Sequence, residues 1–558
     1  MFTGHWGAHR LGAFRAAGAA LLLIGGLLAG SSGATAAQGS SDPQREGGSR
    51  LTVNIGLTGS ATATTSQTNA TPDRAIDGNA ATAWCATEWT GTLTVDLGRE
   101  SDLGGFGLTL TGGDPTAEVS LAYATSPSNW HNVRSAQHAP VAANEPVYIP
   151  SSVTARYARL TVTDWDGKPP CVGEFRLFAR PSDTALKFAG ADLTFQPLEE
   201  TAGAVFSDNG IPGAAHEILK AHGLNYVRLR LWVVPPPGYP DLAYDLAFAK
   251  RIKAAGLKLY LDIHYSDFWA DPQHENTPAA WVGQDLAHLS QTVEQYTRDV
   301  IGAFAEQGTP VDMVSIGNEI RNGFLWPVGQ VDWTANTGWQ NLTTLLKAGV
   351  AGARAGNPSH HALLVMIHFD QGGNNQTSRQ FFDNIIAGGV PFDIIGLSYY
   401  SFFHGSLTDL RTNVDDLATR YGKQIVIAES QYAWTLAQGD FTGDFVWQPS
   451  QLEVGYPATP NGQLSFYSDL LSILAQVPGG KAIGLFYWEP EWIPGVGWTP
   501  GAGTPNDNLT LFNFTGQSLP SIGLFQNPLR VCARYNPSAL PCTVPNGATA
   551  SPGGDAGD

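Results

Sequence analysis

The sequence predicts an α/β protein built as a (β/α)8 TIM barrel preceded by a β-sandwich. Three observations carry that prediction. From Lys187 onward, short apolar runs alternate with helical patterns eight times, as a closed parallel barrel requires. Between residues 51 and 180 apolar residues instead recur at every second position, the period of half-buried strands. No GxGxxG follows the first apolar run of the second segment, which argues against a doubly wound sheet.

Taken in order, residues 1–36 read as a signal peptide. Arg10 and Arg15 provide a positive start, residues 16–30 are apolar, and Ala34-Thr35-Ala36 offers small residues for cleavage. A membrane anchor is the alternative, but the run is short for a span and a Gly/Ser stretch follows it. Residues 37–50 have the composition of a flexible linker. The sandwich occupies 51–180, with alternation in GTLTVDL (91–97) and YARLTV (157–162), and with turn signals at Asp77-Gly78 and at Gly112-Gly113-Asp114-Pro115. The barrel occupies 185–530, with strands expected at 187–192, 226–232, 257–265, 311–317, 362–368, 393–399, 424–429 and 482–488. Residues 543–558 read as a disordered tail. Of four cysteines, Cys85 and Cys171 pair naturally by location, as do Cys532 and Cys542, while the other two connectivities stay open. No CxxC or Cys/His cluster supports zinc.

Hydrophobic residues make up 43% and charged residues 14%, a globular rather than a disordered composition. The formal net charge of −18 repels phosphate backbones, so nucleic acid is excluded as a partner and a neutral ligand is favoured. No segment after the first is apolar enough to cross a bilayer.

Barrel active sites form at the C-terminal ends of the strands. The fourth strand ends in Asn318-Glu319, the seventh in Glu429, the third in His264-Tyr265-Ser266-Asp267, the fifth in His368 and the sixth in Ser398-Tyr399-Tyr400. The second carries Arg228 and Arg230, which alternate and so share one face, and ends in Trp232; the eighth ends in Trp488-Glu489. One Glu after a strand is ordinarily a solvated carboxylate. Two, on strands four and seven, face each other across the mouth and suit glycoside hydrolysis: one protonates the leaving oxygen, the other attacks the anomeric carbon. A cation such as Arg228 or Arg230 would keep the nucleophile ionised, though a structural ion pair is an equal reading for each. Asn318 could donate to a sugar hydroxyl, and Trp232 and Trp488 offer flat faces. No GxSxG, HExxH or P-loop competes.

These runs resemble a known family. From residue 187 to 527, GADLT (190–194), YVRLRLWV (226–233), LDIHYSDFWADP (261–272), IGNEIRNGFLWP (316–327), IIGLSYYSFFHG (394–405), IAESQYAW (427–434), LFYWEPEWIP (485–494) and DNLTLFNFTGQSLPS (507–521) are similar to glycoside hydrolase family 53, the arabinogalactan endo-β-1,4-galactanases. The resemblance implies retaining endo-hydrolysis of β-1,4-galactan, with Glu319 as acid/base and Glu429 as nucleophile. It implies a substrate groove of Asp192, Arg228, His264, Asp267, Trp269, Asn318, His368, Tyr399 and Trp488. It also implies a secreted enzyme that needs no cofactor for catalysis, takes a polysaccharide as its partner and works as a monomer. The alternatives are another β-glycanase of the same clan and a non-catalytic glycan-binding protein. Some bacterial members carry a calcium loop after strands seven and eight; here Asp440 and Asp444 read as solvated loop aspartates, with a short loop after strand eight. The N-terminal segment resembles F5/8 type C domains through AIDGN (75–79), Thr82, Trp84, VDLG (95–98) and GEF (173–175). That resemblance implies a carbohydrate-binding module, and structural Ca2+ held by Asp77, Thr82 and Glu174, whose hard oxygens suit the ion. Trp89, Trp130 and Trp165 are its candidate sugar platforms.

Overall fold

Period-two alternation between residues 60 and 179 produces seven antiparallel strands. They are β1 (Ser60–Ala63), β2 (Trp84–Cys85), β3 (Thr90–Leu110), β4 (Glu118–Ala124), β5 (His131–His138), β6 (Val147–Thr163) and β7 (Cys171–Ala179). They pair in the order β2-β7-β3-β6-β4-β5, with β1 also on β3. The computed structural model describes residues 54–79, 81–111, 117–138, 147–164, 168–179, 187–499 and 501–525. The signal, linker and tail segments, Trp165 and the Cys532–Cys542 pair lie outside the described residues. Not all of the strands are short, as the sequence suggested. β3 runs for 21 residues, with breaks in its pairing register between Asp96 and Ser101 and between Leu103 and Gly105. Such irregularities bend a strand, so both halves of β3 reach one core: Leu93 and Val95 from the first, Phe106 and Leu108 from the second, packed with Leu121, Leu160 and Phe175. Cys85 and Cys171, paired across β2 and β7, form a disulfide.

The second segment closes into a parallel barrel of β8 (Phe188–Asp192), β11 (Tyr226–Leu231), β12 (Lys258–Ile263), β13 (Met313–Ile316), β14 (Leu364–Phe369), β15 (Ile394–Ser398), β16 (Gln424–Glu429) and β17 (Ala482–Tyr487). A small ribbon, β9 (Ser207–Asp208) with β10 (Ile211–Pro212), interrupts the numbering. Each barrel strand overlaps its expected run. The helices are α1 (Gln196–Ala202), α2 (Ala215–Ala221), α3 (Leu242–Ala254), α4 (Leu286–Glu306), α5 (Trp339–Gly356), α6 (Asn375–Ala387), α7 (Ser401–His404), α8 (Leu407–Tyr421) and α9 (Pro460–Gln476). Side-chain alternation sorts each strand. Val227, Leu229, Leu259, Leu261, Val314 and Ile367 join the helices in the main core. Tyr226, Tyr260, Met313, Met366, Val426 and Phe486 fill the barrel interior. Two residues further along the inward register stand Arg228, Asp262, Ser315 and His368, all buried. The barrel therefore has an apolar floor and a polar mouth. Gly190 admits the floor packing, since a Cβ there would lie 2.1 Å from the Phe486 ring.

Helix α9 is covered on two sides. Its Phe466, Leu470 and Ile473 face the barrel core, while Asp469, Ser472 and Gln476 meet the sandwich. Arg176 of β7 pairs with Asp469 at 2.6 Å, with both side chains no more than 3% exposed. Tyr456 donates to the same carboxylate at 2.7 Å. Asn54 N–H donates to Ser472 Oγ at 2.7 Å, and Gln476 donates to Asn54 O at 2.8 Å. Breaking a buried ion pair from one side leaves an uncompensated charge. Asp469→Asn should cost about 3–5 kcal/mol of stability, whereas replacing both Arg176 and Asp469 with apolar residues of similar volume should cost far less. Denaturant unfolding of the full chain measures both.

Candidate active site

Two local backbone departures aim the glutamates. Past the end of β13, Gly317 takes a φ of 85° and Glu319 a φ of 51°. The left-handed region costs a non-glycine residue energy and persists only where surroundings enforce it. Here Ile320 N–H, next in the chain, is fixed on His368 O at 3.1 Å. On β16, strict alternation would turn Glu429 outward, since Val426 and Ala428 point in. The pairing with β15 skips Ala428, passing from Leu397–Ile427 to Ser398–Glu429, and this bulge returns Glu429 to the interior.

Ser398 acts on both carboxyls: its hydroxyl donates to Glu429 Oε2 at 3.4 Å, and it eases the ionisation of Glu319. Their electrostatics diverge. Burial would raise Glu429, but Arg228 at 2.6 Å and the Tyr400 hydroxyl at 2.9 Å hold it below the usual carboxylate range. Burial pushes Glu319 well up, and the negative charges of Glu429 and Asp370 add to the rise. One group is set to be ionised and the other protonated, the division acid/base chemistry needs.

Arg228 organises the mouth. Its guanidinium touches Glu429, Asp262, Asp192 at 3.2 Å and Asn318 Oδ1 at 3.0 Å. Asn318 Nδ2 donates to Ala270 O at 2.8 Å, leaving one N–H for a ligand. Asp262 also accepts from Ser315 and lies 3.3 Å from His264 Nε2. His368 Nε2 meets Ser398 Oγ at 2.9 Å, and burial lowers its pKa to about 4, so the ring is neutral. Asp262, His368 and Glu429 form the one compact group of potential metal ligands among the described residues, and Arg228 already supplies its positive charge.

Trp488 and Trp269 form a wall on one side of the mouth, 6.2 Å apart, with Trp498 stacked on Trp269 at 4.4 Å. Arg230 lies over Trp269 at 4.3 Å and pairs with Glu489 at 2.9 Å, so it braces the wall rather than Glu429. Trp232, expected as a sugar face, is fully buried and donates to His264 Nδ1 at 3.2 Å. Asp267 stands apart from the glutamates: its oxygens accept from Val234 N–H and Ala279 N–H, tying two loops. Tyr399 points out into the helix-side core and donates to Gly405 O at 3.0 Å. Its neighbour Tyr400 reaches Glu429 instead. The inward register of β15, from Ile394 through Ser398, leads to Tyr400, so alternation held the signal that a motif match passed over. Asp262 was also missed, although it shares the register of Tyr260 and His264.

In the sandwich, Asp77, Thr82 and Glu174 do converge. Thr82 donates to Asp77 Oδ2 at 2.7 Å, Gly78 N–H donates to Glu174 Oε1 at 2.9 Å, and Glu174 Oε2 is buried without a partner. Burial raises both carboxyls, Glu174 the further. Of the aspartates after strand seven, Asp444 is buried, contrary to the sequence reading, while Asp440 is half-buried. The stretch after β17 is long and brings Asp507 against them. Asp444 and Asp507 are buried; burial, with repulsion from Asp507 and Asp440, pushes Asp444 up to about 8, and burial, with repulsion from Asp440, pushes Asp507 up to about 7. Among the platforms, Trp89 is 51% exposed, and Trp130 is covered by Arg159 at 3.7 Å.

Two glutamates whose carboxyls are shifted in opposite directions at one barrel mouth, beside a tryptophan wall, have the arrangement of a glycoside hydrolase. Residues 188–525 match the model of glycosyl hydrolase family 53, and residues 60–174 match that of the F5/8 type C domain. The chain belongs to glycosyl hydrolase family 53, whose members act with retention. It is 42% identical over 337 residues to a Niallia circulans protein described as "Uncharacterized protein in bgaB 5'region", covering 60% of this chain and 91% of that one. It is 36% identical over 349 residues to an arabinogalactan endo-beta-1,4-galactanase of Thermothelomyces thermophilus, covering 61% of this chain and 99% of that one. The GH53 catalytic domain of Ignisphaera aggregans superposes with a TM-score of 0.57 at 37% identity, over 62% of this chain and 96% of that one.

Removing the Arg228 charge tests the electrostatic account directly. In Arg228→Met the Glu429 carboxyl should titrate roughly 1–3 pH units higher, read by 13C NMR of labelled glutamate.

Proposed function

We propose that this protein hydrolyses internal β-1,4-galactosidic bonds of plant (arabino)galactan with retention, Glu319 serving as acid/base and Glu429 as nucleophile. The opposed protonation of these two glutamates carries the mechanism; the galactanase relatives support the substrate. Glu429 attacks the anomeric carbon while Glu319 protonates the departing oxygen. The covalent galactosyl ester then yields to water activated by Glu319, now a carboxylate. Arg228 holds Glu429 ionised, Tyr400 fixes its second oxygen, and Asn318 offers its free N–H to a sugar hydroxyl. Asp192 and Asp262 hold Arg228 in place. Trp488 and Trp269 carry sugar rings on the side of strands eight and three.

The domain reading follows: 185–530 is the catalytic barrel and 51–180 an appended carbohydrate-binding module. The protein is read as secreted, through residues 1–36. The Cys85–Cys171 disulfide supports an oxidising destination. Both glutamates come from one chain, so a monomer suffices. Catalysis needs no cofactor. Structural Ca2+ fits Asp77, Thr82 and Glu174, where a buried carboxylate oxygen lacks a partner, and fits the unpartnered Asp444 and Asp507 carboxyls, which a cation would allow to ionise. The ion would fix loops and take no part in bond cleavage.

Reducing-sugar release should be large on linear β-1,4-galactan and near background on xylan, mannan and cellulose; equal rates on xylan would overturn the substrate reading. Glu429→Ala should lose many powers of ten in kcat and regain part of it with azide, giving the α-galactosyl azide by NMR. In the wild type, kcat/KM should rise with pH as Glu429 ionises and fall again at higher pH as Glu319 loses its proton. The falling limb should vanish in Glu319→Gln assayed on an aryl substrate that needs no acid. Chelation should lower Tm and Ca2+ should restore it, since an ion at 100 times its Kd stabilises by about 2.7 kcal/mol.

A further inference from the structure

On the catalytic face, the loops after β14 and β15 enclose a cavity of about 380 Å³, within the range of roughly 300–1,000 Å³ typical of small-ligand sites. Its walls include Gln371, Asn374, Asn375, Phe403, His404 and Thr412. The two loops touch at its base: a Cβ on Gly373 would lie 1.8 Å from His404 O. Phe403 is 61% exposed, yet held in place by Phe402 at 4.6 Å and Phe445 at 6.1 Å. A fixed aromatic face open to solvent packs the C–H face of a sugar ring by dispersion. Around it are amides with spare capacity. Gln371 uses only its Nε2, on Asp370 at 2.9 Å. Asn374 uses its Oδ1 on Thr377 N–H, and Asn375 uses its Nδ2 on Asp416 and Asn413. One carbonyl of Gln371, one NH2 of Asn374 and one carbonyl of Asn375 remain to bind hydroxyls.

The barrel's circular order places this cavity. Glu319 follows strand four and Glu429 ends strand seven. The tryptophan wall of strands eight and three lies on one side of the line between them; strands five and six, with the cavity, lie on the other. Short contact chains connect cavity and glutamates. Gln371 touches Asp370, which meets Arg321 at 3.4 Å, two residues from Glu319. His404 accepts from Tyr400 N–H at 3.2 Å, and Tyr400 binds Glu429.

We propose that this cavity is a leaving-group-side subsite for a galactosyl unit of the polysaccharide, beyond the unit attached to the cleaved bond. The proposal rests on the galactanase reading above. A chain lying on the tryptophan wall and crossing the glutamate pair runs onward over strands five and six, where Phe403 and the three amides receive it.

The test uses full-length Phe403→Ala, which removes the platform, and Thr412→Trp, which fills the cavity from an exposed helix position. Substrates are linear galactan, arabinose-branched galactan, reducing-end-labelled galactopentaose and an aryl β-galactobioside whose leaving group ends short of the cavity. Both variants should raise KM on linear galactan by about tenfold, the worth of one aromatic contact, with kcat changed less than twofold. Cleavage of galactopentaose should move toward the reducing end, because the leaving-group side binds less. Turnover of the aryl substrate should stay within twofold, which also reports an intact fold. Unchanged KM and cleavage position in both variants overturn the subsite while leaving the galactanase reading intact. An effect confined to the branched polymer overturns it in favour of an arabinosyl pocket. A wild type inactive on galactan but active on another glycan sinks the galactanase reading first, a result separable from the other two.

Discussion

One buried guanidinium governs this active site. Arg228 sits among Asp192, Asp262 and Glu429, a surplus of carboxylates around one cation. Removing it from water is costly and is tolerable only because its neighbours compensate. The same contacts settle the protonation of the whole mouth. Glu429 remains an anion because Arg228 touches it, and Asp262 is held well below the ordinary carboxylate range after opposing its own burial. Glu319 touches no cation among the described residues, so its burial, with the negative charges of Glu429 and Asp370 added, makes its ionisation unfavourable. A single side chain thus separates the properties of two chemically identical groups.

Much of this could be read in the amino-acid sequence, because a barrel strand advertises both its position and its end. The eight apolar runs located the strands, and their terminal polar residues located the mouth. What escaped was orientation. Tyr399 and Tyr400 are equivalent to a motif but opposite on a pleated strand, and only counting outward from Ile394 distinguishes them. Glu429 is the converse case: counting alone would turn it outward, and the skipped pairing at Ala428 corrects it. Trp232 looked like a sugar platform because burial cannot be seen in a string. Asp444 looked solvated because Asp507, which closes over it, lies 63 residues later in the chain by their numbers.

The sandwich was equally legible in its own strands, its Asp77–Thr82–Glu174 cluster and its disulfide. Its attachment was not. Arg176 and Asp469 are 293 residues apart, and a polar stripe at Asp469, Ser472 and Gln476 has the pattern of a solvent-facing helix surface. Contacts between separate segments leave no periodic trace in either one.

The covered helix α9 has a consequence for how a polymer would be handled. A glycan-gripping module on a slack tether lets its enzyme graze anywhere within reach, at an effective concentration set by tether length. Here the sandwich is joined to the barrel through Arg176, Asn54 and Gln476. On the proposed reading of the sandwich as a glycan-binding module, such a seat would deliver the cutting mouth at a set offset from the bound glycan, so that anchoring would bias which strand is cut instead of merely keeping the enzyme nearby.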